Sequence, residues 1–180
     1  MEIIQTRIKD LVIIKPSVFP DERGYFFESW NKKRLEELGF NYDFMQDNES
    51  KSAKGILRGM HFQKPPFAQG KLVRVIKGAI VDVGVDLRKG SPTYLQHVQV
   101  TLSEENKLMF FIPEGFAHGF LSKEEGTIVN YKCTQVYHKA SEVSFRWDDP
   151  TVGIAWDIAD PELSERDSNA PFFKEIDNPF

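Results

Sequence analysis

The chain has 180 residues, 41% hydrophobic and 28% charged, with a net charge of −4 at pH 7. That is one domain's length with material for a core, and the acid excess excludes a general basic footprint for nucleic acid or an anionic membrane. Cys133 is the only cysteine, which excludes an internal disulfide and a thiolate metal cluster.

No apolar run approaches the roughly 18 residues of a membrane span, and MEIIQTRIKD at the start lacks the layout of a signal peptide. The expected location is therefore cytoplasmic. NKKRLEELG (31–39) predicts a short helix, with Leu35 and Leu38 on one side and Gly39 as its stop. KLVRVIKGAIVDVGVDL (71–87) predicts two strands about Gly78. In the second, Val81, Val83, Val85 and Leu87 form the buried face, opposite Asp82, Gly84 and Asp86. KGSPTY (89–94) reads as a turn, and HVQVTL (97–102) as an alternating strand. NKLMFFIP (106–113) sets Leu108, Phe110 and Ile112 on one face, and TIVNYKCTQVYH (127–138) is a further strand. From about residue 148 the chain reads as loop with aromatic anchors. No repeat or linker breaks residues 1–180, which predicts one domain, an all-β sandwich or barrel.

Two histidine stretches carry the chemistry: GILRGMHFQ (55–63) and IPEGFAHGF (112–120). Together they resemble the half-motifs of the cupin superfamily, Gly-x5-His-x-His followed by Glu, then Pro-x-Gly-x-x-His. That resemblance implies a double-stranded β-helix, or jelly roll, with a few short peripheral helices. His61 and His118 match metal-ligand positions, but Gln63 replaces the second histidine, and Phe67 and Ala68 stand where the Glu belongs. Two ligands are too few for a metal centre, so no metal is expected and side chains must do the work. His61 is the natural general base. Strand alternation sets Arg58 opposite His61 unless Gly59 supplies a bulge. Lys71 is either drawn to the same cavity or a solvated charge, and His118 either a packed histidine or a site residue.

The chain as a whole resembles the dTDP-4-dehydrorhamnose 3,5-epimerase family from about residue 3 to 175. The stretches that carry this are DERGYFFE (21–28), QDNES (46–50), GILRGMHFQ, GKLVRVIKGAIVDVGVDLRKGSPTY (70–94), IPEGFAHGF, YKCTQVYH (131–138), RWDDP (146–150) and LSERD (163–167). The resemblance implies acid–base epimerisation at C3 and C5 of a dTDP-4-keto-6-deoxy sugar, without a cofactor. It implies His61 as base, Asp167 as its partner, Lys71 beside the developing oxyanion and Tyr131 as acid, with Tyr137 as the alternative acid. For substrate binding it implies Arg58 on the diphosphate and Arg23 as a further anion contact. Gln46, Asn48 and Glu142 fall on the nucleotide side, His118 and Phe120 in the sugar pocket, and Phe19 or Phe26 stacks on the base. It also implies a homodimer with exchanged N-terminal strands, in which Arg23, Phe26 and Glu28 serve the partner's site.

Two departures stand out. The family usually continues from SPTY with Gly and an aromatic, where this chain has Leu95, Gln96 and His97; a change of packing or interface is expected there. Gln135 replaces a commonly acidic residue. The competing readings are a single-site 3- or 5-epimerase, a 3,4-ketoisomerase, and a nucleotide-sugar-binding cupin without turnover.

Overall fold

A computed structural model describes residues 1–180. The strands are β1 (Glu2–Gln5), β2 (Val12–Lys15), β3 (Phe19–Asp21), β4 (Gly24–Phe26), β5 (Gln46–Ser52), β6 (Leu57–Gln63), β7 (Lys71–Lys77), β8 (Ala79–Asp86), β9 (His97–Ser103), β10 (Met109–Ile112), β11 (Phe116–Ser122), β12 (Thr127–Cys133) and β13 (Glu142–Ser144). Two short helices, α1 (Lys32–Glu37) and α2 (Glu165–Ser168), lie outside them. One sheet runs β1-β2-β10-β7-β12-β5 and the other β13-β6-β11-β8-β9, while β3 and β4 form a separate hairpin. All strand pairings are antiparallel. This is the expected all-β jelly-roll architecture.

Between the sheets, apolar side chains from both close one end. Val73, Val75, Phe110 and Val129 of the first meet Ile80, Val100, Leu102 and Phe120 of the second. Outside the first sheet, α1 and the segment after it pack Leu35 and Phe40 on Leu72, Met109 and Phe111. Asn31 caps α1, and Gly39, at φ +84°, turns the chain out of it. Leu38 departs from expectation. It is the C-cap rather than a helix-face residue, and it is 48% exposed.

The tail from residue 145 covers the outside of the second sheet. Phe145, Val152 and Phe173 pack on Met60, Phe62, Val83, Val85 and Leu87. This corrects the expectation for β8, whose polar face is as buried as its valine face: Asp82 and Asp86 are both fully buried. The valines meet the tail outside and the aspartates point into the fold. A strand covered on both sides cannot use water to satisfy its polar groups, so each needs a partner. Asp86 finds several in the turn that follows, accepting from Arg88 (2.8 and 2.9 Å), Ser91 Oγ (2.6 Å) and Thr93 Oγ1 (2.7 Å). Although burial opposes ionisation, these donors hold its pKa at about 2. That is the chemistry of the Asp-Leu-Arg-Lys-Gly-Ser-Pro-Thr run. Leu95 sits just beyond at φ +62°, a conformation suited to glycine, and packs its side chain against the outer cluster.

The 127–138 strand ends early, at Cys133. The charged QDNESKS segment, not foreseen as a strand, forms edge strand β5, with Asp47, Glu49 and Lys51 turned to solvent.

Candidate active site

The open end of the barrel holds two adjoining cavities of about 510 and 380 Å³, both bordered by His61, Lys71, Tyr131 and Glu142. The two sheets supply opposite walls. β6 and β11 carry Arg58, His61, His118 and Phe120; β7, β12 and β5 carry Lys71, Tyr131, Asn48 and Gln46.

Arg58 and His61 reach one cavity because β6 has the extra residue that Gly59 was expected to allow. His61 pairs with His118 and Arg58 with Phe120, so three steps along β6 match two along β11. Gly59 lies at φ +133°, and a Cβ there would stand 2.6 Å from the Gly119 Cα. No side chain fits. Arg58 donates from Nε to Ser52 Oγ (3.1 Å) and from Nη2 to the Lys51 carbonyl (3.2 Å).

His61 Nε2 lies 2.6 Å from Asp167 Oδ1. The carboxylate only accepts, so Nε2 carries the proton and Nδ1 keeps its lone pair. Two local features bring residue 167 to residue 61. Glu162 bridges in parallel to Ile56, with backbone bonds to Gly55 and Leu57 at the head of β6. Ser164 then caps α2 by accepting from the Asp167 N–H (3.1 Å). Burial drives the His61 pKa below the ordinary histidine value, helped by the charges of Arg166 and Lys71 and opposed by Asp167. Burial works to raise the Asp167 pKa, but the bond and charge of His61, the Ser164 bond and the Arg166 charge together outweigh it, and the carboxyl sits below its usual range. The pair at neutral pH is an imidazole and a carboxylate.

Lys71 faces the cavity rather than bulk water. Burial lowers its pKa, and Cys133, Glu142 and Asp82 pull the other way. Burial raises the Tyr131 phenol, which keeps its proton at neutral pH. Burial also pushes the Cys133 thiol up to about 11, so it is no nucleophile. His118 answers to both of its readings. It is buried, with Nε2 2.6 Å from Asp82 Oδ1, and it borders the smaller cavity beside Phe120. Asp82 Oδ2 has no hydrogen-bond partner.

Gln46 and Asn48 border the larger cavity, Gln46 Nε2 donating to Asn48 Oδ1 (2.9 Å). Tyr137 borders only that cavity, its ring half exposed and its hydroxyl donating to Glu142 Oε2 (2.9 Å). Arg23, Phe19, Phe26 and Glu28 border neither. The first three ride on the exposed β3–β4 hairpin, Arg23 pairing with Asp21 (2.6 Å), and Glu28 pairs with Arg34 (2.7 Å). Arg166, missed in the sequence, lines the smaller cavity and pairs with Glu142 (2.5 Å). Its signal was the S-x-x-D cap of LSERD, which predicts a helix start presenting the adjacent side chains.

A family model described as dTDP-4-dehydrorhamnose 3,5-epimerase matches residues 5–175. The Methanothermobacter thermautotrophicus protein of that name is 52% identical over 169 residues, covering 92% of this chain and 91% of its own. A Legionella pneumophila dTDP-6-deoxy-D-glucose-3,5-epimerase, solved in complex with dTDP-4-keto-L-rhamnose, superposes with a TM-score of 0.93. It is 48% identical, with 98% and 94% of the two chains covered. The Bacillus anthracis dTDP-4-dehydrorhamnose 3,5-epimerase, solved with TDP and pyrophosphate bound, gives a TM-score of 0.92 at 45% identity, with 95% and 98% covered.

Proposed function

This chain belongs to the dTDP-4-dehydrorhamnose 3,5-epimerase family, a family of isomerases, and we propose that it inverts C3 and C5 of dTDP-4-keto-6-deoxy-D-glucose by proton removal and return. The observation that carries the reading is the facing of two walls: neutral His61 on the Asp167 carboxylate on one, protonated Tyr131 and Lys71 on the other.

The C4 ketone acidifies the protons at C3 and C5. His61 Nδ1 takes one, and its C–H electron pair delocalises onto the ketone oxygen as an enolate. Asp167 stabilises the imidazolium that forms. Lys71 supplies positive charge at the enolate oxygen, where the bound sugar displaces the water that would screen it. Tyr131 then gives its proton to the carbon from the opposite side, which inverts the centre. The proton on His61 restores the phenol through solvent. Tyr131 is the better acid of the two tyrosines because it borders both cavities with His61, whereas Tyr137 is at the outer one and already donates to Glu142. Arg58 and Arg166 are suited to the diphosphate, since the guanidinium fork matches phosphate oxygens. His118 and Phe120 wall the sugar, while Gln46, Asn48 and Glu142 flank the nucleotide.

A second copy of the chain is part of the proposal. Phe19, Tyr25 and Phe26 are each more than half exposed on the hairpin, an apolar arm that costs solubility unless covered. Arg23, Phe26 and Glu28 would reach the partner's cavity from it. No helix of the chain is long and apolar enough to cross a membrane, and a cytoplasmic setting belongs to the same proposal.

Incubation with dTDP-4-keto-6-deoxy-D-glucose in deuterated water tests the reading. Deuterium at both C3 and C5, with the L-sugar formed, is the expected result. Label at one carbon would make it a single-site epimerase, and nucleotide binding without label would make it a binding protein.

A further inference from the structure

Beyond Cys133 the chain leaves the sheet. Thr134 still donates its backbone N–H to the Gly70 carbonyl (3.0 Å), but from 135 to 138 side-chain amides hold most of the backbone. Gln69 Nε2 donates to the Gln135 carbonyl, and Gln46 Oε1 accepts from the Tyr137 N–H (2.8 Å). Gln63 does most. Its Nε2 donates to the carbonyls of Phe67 (2.7 Å) and Val136 (3.2 Å), and its Oε1 accepts from the His138 N–H (2.8 Å). Gln63 is buried at the end of β6. It ties together the two segments that flank the larger cavity, 64–70 and 134–141. The rings of Phe67 and His138 stack across the same junction at 3.9 Å.

The bonding pattern demands two donors and one acceptor from a single side chain. A carboxamide has them; a neutral imidazole offers one donor and one acceptor, and a carboxylate no donor. This accounts for glutamine where the cupin pattern has its second histidine.

We propose that Gln63 is a positioning residue: it holds segment 134–141 so that Tyr137 and Glu142 stand at the nucleotide end of the cavity. The proposal rests on the reading of that cavity as a dTDP-sugar site. Gln63 touches no reacting atom in this scheme, so its loss weakens nucleotide binding rather than proton transfer.

The test is Gln63→Glu, which keeps the shape but turns an acceptor toward two carbonyls. Amide hydrogen exchange, read by mass spectrometry, should rise about tenfold or more in 64–70 and 134–141 and stay unchanged in β8 and β11. The Kd for TDP should rise about tenfold. At saturating sugar nucleotide, kcat for deuterium incorporation should stay within about threefold of the parent. Gln63→Asn, which retains the amide with a shorter reach, should give the same pattern more weakly, and it serves if Gln63→Glu does not fold. Unchanged exchange in 134–141 would overturn the proposal. So would a loosened segment with unaltered TDP affinity, or a fall in kcat with KM intact. A parent protein that neither binds TDP nor labels the sugar would instead defeat the functional reading, and the exchange data would still report on the clamp.

Discussion

His61–Asp167 and His118–Asp82 have the same contact, 2.6 Å from imidazole Nε2 to carboxyl Oδ1, and the two histidines face each other on neighbouring strands. Their surroundings differ. Asp82 lies on β8, next to β11, and is sealed on every side, with Oδ2 unpartnered. Asp167 arrives from a distant tail, and its histidine is 21% exposed, with Lys71 and Arg166 charging its surroundings. Identical pair geometry therefore says little about role. A base needs a lone pair that substrate can reach, and His61 has access where His118 is bound into the wall.

The sharpest way to break this comparison is to remove each histidine and read activity. His61→Asn should lower the rate of deuterium incorporation by about 10³- to 10⁴-fold at both carbons while TDP affinity, read by calorimetry, changes little. His118→Asn should act mainly on KM. Equal losses of kcat would mean that both pairs take protons.

Stability should rank them in reverse. His118→Ala leaves a fully buried Asp82 carboxyl without its one partner and should cost about 3 kcal/mol in urea unfolding. His61→Ala should cost nearer 1 kcal/mol, because Asp167 is left beside a water-accessible cavity.

The pH profile sharpens the account of His61. The base works when neutral, so kcat/KM falls as pH drops through its pKa. That pKa is lowered, which puts the acid limb below the ordinary value of 6.5. In Asp167→Asn the two influences that raise it disappear. The limb should then move further to acid pH while the plateau rate falls. A limb moving toward neutral would contradict the assigned polarity of the pair.

The smallest expected effect is on label uptake in Tyr131→Phe. Exchange should continue within about threefold, because His61 still removes and returns the proton on one face, but chiral analysis of the product should show inversion suppressed. Inversion at full rate would hand the acid's role to Tyr137 or to water.

Much of the fold was legible because burial leaves a periodic trace. β9 alternates as written, and Gly78 divides β7 from β8 as its turn chemistry demands. The trace failed where a strand is covered on both faces. Asp82 and Asp86 read as a solvent face, and only packing reveals that the tail has taken the other side. It failed again at β5, whose inward residues are polar because they line a cavity. Within the site, His61, Arg58 and the bulge at Gly59 were legible as a local pattern. Asp167 was reached through family resemblance, and Arg166 was missed, since neither is near His61 in sequence.

What the sequence determined by itself is therefore local: strand periodicity, the turn glycines, the histidine stretches, and the family its motifs spell out. Tertiary structure decided which of those groups meet. Whether a histidine is a base depends on its partner, its access to solvent and the charges beside it. Those reach it across 106 residues of chain in one pair and 36 in the other. Electrostatics and desolvation act through space, so no order of residues states them before the sheets have closed.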